Sequence, residues 1–312
     1  MNYGELVSRA LRITWENRYL WFFGFFVGSG FSPPSFNFQS SSDFGESEAF
    51  AADLGTVSSL GPVEIGLIAG AVLVLFVALI LLALISQGGL ADSVAAIDRG
   101  EARSFGSTWR AGRANIWHVF KVLLLIFLIA LAGLILIGVP LGGVTFAVFA
   151  STEDLVARIV TGVTVGLLAI VALIVLGSLV SIVNQFAVRR IVLDGGGARN
   201  AIRFGYRLFR SRVGTSLLVF LIAIAIAIGA LLALFIAAAL VGLMLGLPAI
   251  GLLIAGLQTA AIVAGGVALL ILFPLMLATA GAVGTFGHAY WTLAYLRLTA
   301  TAPAPPSVPA VP

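Results

Sequence analysis

The stretch FAVRRIVLDGGGARNAIRFGYRLFRSR occupies residues 186–212 and lies between two long apolar runs. It carries seven arginines against a single acid, Asp194. Arginine and lysine are retained on the cytoplasmic side of a membrane, so a basic segment between apolar runs indicates which side a connection faces. We therefore expect residues 186–212 to form an inner connection between two membrane-spanning helices.

The composition is that of an integral membrane protein. Of the 312 residues, 61% are hydrophobic and 10% are charged, and the mean hydropathy is +1.15. Soluble domains carry about 25% charged residues and could not bury this much apolar surface. The net charge of +4 does not indicate nucleic-acid binding, because the basic residues flank apolar runs. The chain has no cysteine, which excludes disulfides and thiolate metal sites.

Six apolar runs are predicted to cross the membrane. They are residues 19–31, 65–85, 117–139, 160–183, 215–241 and 250–285. A span needs about 20 residues, so the first run is short and the last is long. We expect the third span to stop at Pro140, a turn at residues 246–248, and a kink or break at Pro274. With six spans, every basic residue except Arg158 faces one side, which predicts cytoplasmic termini.

The predicted fold class is all-α, a polytopic membrane protein of about six transmembrane helices with interfacial amphipathic helices between them. Short sequence similarities suggest parallel tandem repeats of helical hairpins at residues 1–90, 91–185 and 186–285. These repeats form a single integral membrane domain over residues 1–299. Residues 32–61 are predicted to be an outer loop, and residues 300–312 a disordered proline-rich tail.

Four arginines of the opening stretch share one helix face. Arg199, Arg203, Arg207 and Arg210 follow one another at four, four and three residues. One interpretation is that they only orient the protein in the membrane. The other is that an interfacial helix binds anionic lipid, each basic residue contributing about 1 kcal/mol near such a surface. The sequence leaves both interpretations open.

Glycines and one amide are the other candidate residues within the spans. Three glycine pairs have the spacing that lets helix backbones approach closely, and we expect them to pack helices within the chain: Gly66 and Gly70, Gly162 and Gly166, and Gly242 and Gly246. Gln258 is the deepest amide in a predicted span. It could bond to another helix or, together with Pro274, line a polar path.

No residue pattern predicts catalysis. His118 and His288 each lie near a tryptophan, and no acid stands at helical spacing from either, whereas a metal site needs three or four ligands. We interpret both histidines as interfacial side chains. No nucleophile with a base is visible, so we predict no catalytic residue, no metal and no cofactor.

Two segments resemble a known group of proteins. They are ALRITWENRYLWFFGFF at residues 10–26 and TFGHAYWTLAYLR at residues 285–297. Both resemble uncharacterised bacterial multi-pass proteins, and the second is similar to the membrane domain of some glycerophosphodiester phosphodiesterases. The resemblance implies a bacterial inner-membrane protein without the phosphodiesterase, whose catalytic domain is absent from this sequence. No catalytic residue carries over.

The sequence therefore favours a non-enzymatic membrane protein. We expect a structural or accessory component that contacts anionic lipid, or a protein partner in the membrane, through its arginine-rich cytoplasmic face. The alternative is a permease-like transporter or pore subunit with a path near Gln258 and Pro274.

The predicted topology can be tested with single cysteines, because the natural chain has none. We expect Ser41→Cys and Ser211→Cys to react with an impermeant maleimide from opposite sides of the membrane. Labelling of both cysteines from the same side would contradict the six-span arrangement.

Overall fold

The computed structural model describes residues 2–28 and 61–300. This part of the chain forms eight α-helices and no strand, which confirms the predicted all-α class. The helices are α1 Tyr3–Glu16, α2 Leu20–Gly28, α3 Pro62–Asp98, α4 Phe105–Ser151, α5 Leu155–Leu193, α6 Ala198–Ser211, α7 Val213–Ile254 and α8 Gln258–Ala300. Five of these, α3, α4, α5, α7 and α8, are long and apolar enough to cross a membrane.

The first predicted span is described only in part. Helix α2 covers nine residues, about 14 Å of helix, which is shorter than the hydrocarbon core of about 30 Å. Residues 29–31 of that span lie outside the described part of the chain, as do all but Gly61 of the predicted outer loop and residues 301–312 of the predicted tail.

Local sequence explains where several helices begin. The Asn2 side chain accepts the Glu5 backbone N–H at 3.4 Å, and the Asp154 carboxylate accepts the Val156 N–H at 3.0 Å. Both are N-caps, which satisfy backbone donors that the first turn leaves free. Helix α3 begins with Pro62, whose fixed φ angle suits a first helical position.

Two helix boundaries predicted at prolines were wrong, because Pro140 lies inside α4 and Pro248 lies inside α7. Helix α8 continues through Pro274, so the predicted break does not occur there, and the predicted kink stays a prediction. A proline removes one backbone donor, which a long apolar helix tolerates at lower cost than exposing several unpaired groups to hydrocarbon. The turn predicted at residues 246–248 occurs instead after Ile254, where Gly256 has a φ angle of 77°.

The chain forms two compact units. Among the described residues, unit 1 contains 2–28, 70–115 and 217–300, and unit 2 contains 61–69 and 116–216. The boundaries of these units differ from those of the three predicted repeats. The repeat therefore stays a prediction.

In unit 1, α2 and α8 touch backbone to backbone. A Cβ atom added at Gly24 would collide with the carbonyl oxygen of Gly281, and one added at Gly284 would collide with the carbonyl oxygen of Gly24. The Thr285 hydroxyl donates at this contact to the carbonyl of Leu20 at 2.9 Å. Only glycine permits such an approach, so these three glycines hold α2 against α8.

Polar contacts join α1, α3 and the start of α4 in unit 1. The Arg9 guanidinium pairs with Asp98 at 3.1 Å, and Arg103 pairs with Asp92 at 3.2 Å. The hydroxyls of Ser93 and Thr108 share a buried hydrogen bond of 2.7 Å. These contacts lie where α3 ends and α4 begins, at the level predicted to face the cytoplasm.

Burial is concentrated at the predicted inner end of each long helix. In α3, residues 63–78 are exposed and residues 83–91 are buried, and in α5 burial begins at Val180. In α8, all but one of the buried residues lie at or beyond Gly281. The exposed remainder of each helix is apolar, as expected of surfaces that face lipid.

We predict that Gly24→Val and Gly284→Val destabilise the protein because each added side chain meets backbone atoms. Forcing extra atoms into a tight contact costs about 1–3 kcal/mol. A fall of several degrees in Tm should be measurable by tryptophan fluorescence in detergent.

Gly66→Val is the matched control, because no described atom lies within 4 Å of a Cβ atom at Gly66. Its Tm should stay close to that of the natural protein. An equal loss of stability in all three variants would show that the α2–α8 contact is not the cause.

Candidate functional site

The candidate site is the arginine-bearing helix α6, which folds back on the end of α5 in unit 2. The turn between them contains Gly195 and Gly196, whose φ angles are 73° and 98°. Side chains rarely adopt such angles, so the glycines make this reversal possible. Arg190 pairs with Asp194 at 2.8 Å and so bridges the last turn of α5 to the residue that follows it.

One face of α6 packs closely on α5. A Cβ atom added at Gly205 would lie 3.0 Å from the carbonyl oxygen of Val183 and 3.4 Å from the backbone nitrogen of Ala187. Ala201 and Leu208, on the same face, are buried. This contact determines which side of α6 is available to other molecules.

The opposite face of α6 carries the four predicted arginines. Arg199, Arg203, Arg207 and Arg210 are all exposed. Within residues 2–28 and 61–300, no carboxylate pairs with any of the four. The structure therefore brings together four guanidinium groups on one accessible surface, which we call the arginine face.

Two other arginines of the same stretch have different surroundings. Arg189 is 1% exposed, and its Nη1 donates to the backbone carbonyl of Gln185 at 2.9 Å and also to the Gln185 side chain. Arg190 stacks its guanidinium over the ring of Phe204 at 4.6 Å. The sequence pattern placed neither Arg189 nor Arg190 among the four arginines, but it did not predict that Arg189 is buried. Gln185, four residues before Arg189, was a usable signal.

The six predicted packing glycines make no close contact in the structure. A Cβ atom at any of them would meet no described atom of its own unit within 4 Å; they are Gly66, Gly70, Gly162, Gly166, Gly242 and Gly246. The close approaches occur instead at other glycines, including Gly24, Gly112 and Gly205. A packing role for the six therefore stays a prediction.

The residues of the predicted path lie at a turn and on an exposed surface. Gln258 is the first residue of α8 and is exposed, so its predicted position deep within a helix was wrong. The error follows from the misplaced turn, because residues 250–254 belong to α7. Pro274 is exposed within α8.

The two histidines have different exposure. His118 is exposed and His288 is half-buried. The described residues contain no group of three or more potential metal ligands.

These features define a class, the multi-pass helical membrane proteins, here with an arginine-bearing amphipathic helix packed beside a span. Residues 18–302 match a family of unknown function, DUF7544, and the chain belongs to that family. No curated protein and no solved structure matches the chain. The resemblance to the membrane domain of glycerophosphodiester phosphodiesterases finds no support in these comparisons.

We predict that Gly205→Leu separates α6 from α5, because the new side chain enters the contact with Val183. Amides of residues 198–211 should exchange with deuterium about tenfold faster, corresponding to a local loss of about 1.4 kcal/mol. Gly214→Leu is the control, because nothing described lies within 4 Å of a Cβ atom there. Unchanged exchange in Gly205→Leu would contradict the described contact.

Proposed function

We propose that this protein is a non-enzymatic component of a bacterial inner membrane, with both termini in the cytoplasm, that binds anionic lipid headgroups through the arginine face. The observation that carries the proposal is the exposure of Arg199, Arg203, Arg207 and Arg210 on one side of α6, while the other side is seated on α5. In this proposal, the arginine face forms part of the cytoplasmic surface beside the bilayer.

The physical chemistry of arginine supports lipid phosphate as the ligand. A guanidinium group presents paired donors that match two phosphate oxygens, and it stays charged at any physiological pH. Each basic residue near an anionic leaflet contributes about 1 kcal/mol. Four such residues are sufficient to hold α6 at a negatively charged surface, and orientation of the protein alone does not need them on one face.

The role proposed for α6 is to couple the protein to the lipid composition of its membrane. Its buried face transmits the position of α6 to the inner end of α5 through the contact at Gly205. No reaction is proposed, since the proposal rests on charge and exposure alone. The alternative of a permease-like conduit has lost its main support, because Gln258 begins a helix instead of lying deep in a span.

A fluorescent probe at the end of α6 tests the proposal. In Ser211→Cys, the single cysteine is exposed and can be labelled with a polarity-sensitive dye. We expect the reconstituted protein to show a blue shift in vesicles containing phosphatidylglycerol and none in pure phosphatidylcholine. Raising salt from about 0.1 M to about 1 M shortens the Debye length from about 10 Å to about 3 Å and should reverse the shift.

Charge reversal identifies the residues responsible. Arg203→Glu with Arg207→Glu should abolish the shift, whereas the same change at the exposed Arg110 and Arg113 of α4 should leave it in place. Equal shifts in both lipids, or a shift unaffected by the α6 reversal, would rule out the proposal. A shift produced only by soluble polyglutamate would indicate an acidic protein partner instead.

A further inference from the structure

An apolar groove lies between α4 and α5 in unit 2, away from the arginine face. The cavity measures about 310 Å³. Four glycines line it, Gly138 and Gly142 on α4 and Gly162 and Gly166 on α5. The other lining residues are Leu134, Ile137, Leu141, Thr145, Val165, Ala169 and Leu173. A Cβ atom at any of the four glycines would meet nothing described within 4 Å, so the groove is open space and not a tight helix contact.

The two ends of the groove are different. At the end nearer the predicted cytoplasmic side, the helices touch, since a Cβ atom at Gly133 would lie 2.8 Å from the Leu176 side chain. At the other end, Arg158 lies one helical turn beyond Gly162. The Arg158 Nε donates to the carbonyl of Thr152 at 2.8 Å, and its Nη2 donates to that of Phe149 at 3.1 Å. Neither bond uses Nη1.

The lining of the groove is apolar. Its one polar side chain, Thr145, donates its hydroxyl to the Leu141 carbonyl of its own helix at 3.0 Å. No group in the lining therefore requires a polar ligand. The groove extends from Leu173 to Gly162, about 16 Å at 1.5 Å per residue, which is close to half of the about 30 Å hydrocarbon core.

We propose that this groove binds one acyl chain of a phospholipid whose phosphate contacts Arg158. The length of the groove equals the depth of one leaflet, and Arg158 provides the charge complementary to phosphate at the position of the headgroup. Arg158 is the one basic residue that the predicted six-span topology places on the side opposite all the others. The lipid therefore belongs to the leaflet opposite the arginine face.

The length of the groove and the charge at its end favour an acyl chain over a second helix. The groove spans about 16 Å and leads to Arg158, which matches a hydrocarbon chain that carries a phosphate at one end.

Native mass spectrometry of the purified protein tests this inference, with phosphatidylglycerol and phosphatidylcholine as the added lipids. Gly138→Leu with Gly162→Leu fills the groove from two positions where a Cβ atom would meet nothing described within 4 Å. We expect this variant to lose one tightly bound lipid, with affinity reduced at least about tenfold. Arg158→Gln should retain that lipid but lose the preference for phosphatidylglycerol. In the natural protein, the affinity for phosphatidylglycerol should exceed that for phosphatidylcholine only a few-fold, because Glu153 and Asp154 lie nearby in the turn.

Gly66→Leu with Gly242→Leu is the matched control, since both glycines are equally free of neighbours but lie outside the groove. It should bind as many lipids as the natural protein. Identical lipid binding by the filled-groove variant would overturn the inference. A loss of dimers in place of a loss of lipid would also overturn the inference, because it would identify a helix of a second copy as the occupant.

Discussion

The backbone of this chain must satisfy its own hydrogen bonds wherever water is absent, and the described structure depends on that constraint. Proline usually ends or kinks a helix in water, but Pro140, Pro248 and Pro274 lie inside α4, α7 and α8. The described breaks after α3, α5 and α7 instead contain glycines with positive φ angles, namely Gly100, Gly195, Gly196 and Gly256.

Most of the close contact among the described residues lies toward the predicted inner end of the long helices. There the chain combines glycine approaches such as Gly24 on Gly281, the shared hydroxyl bond of Ser93 and Thr108, and the ion pair of Arg9 with Asp98. The remaining length of each helix is exposed and apolar. This division follows from the solvent, because lipid tails compete with apolar side chains and give helices little reason to associate, whereas small and polar residues can hold them together.

Two surfaces of unit 2 are proposed to bind lipid, one through charge and the other through apolar contact. The arginine face of α6 offers fixed positive charge and donors, so its binding should weaken with salt. The groove between α4 and α5 offers shape and hydrocarbon contact, with a single charge at Arg158. The two surfaces are predicted to serve opposite leaflets.

Much of this protein follows from sequence alone. Composition determined the membrane class, and the spacing of Arg199, Arg203, Arg207 and Arg210 placed them on one face of a helix. Local pattern and solvent preference suffice for both. The tertiary structure decided the rest. The position of Gln258 depends on where the turn between α7 and α8 falls. It depends on which helix lies alongside whether Gly162 packs or lines a groove, and whether Arg189 is buried while Arg203 is exposed. A residue's own neighbours in sequence do not encode that.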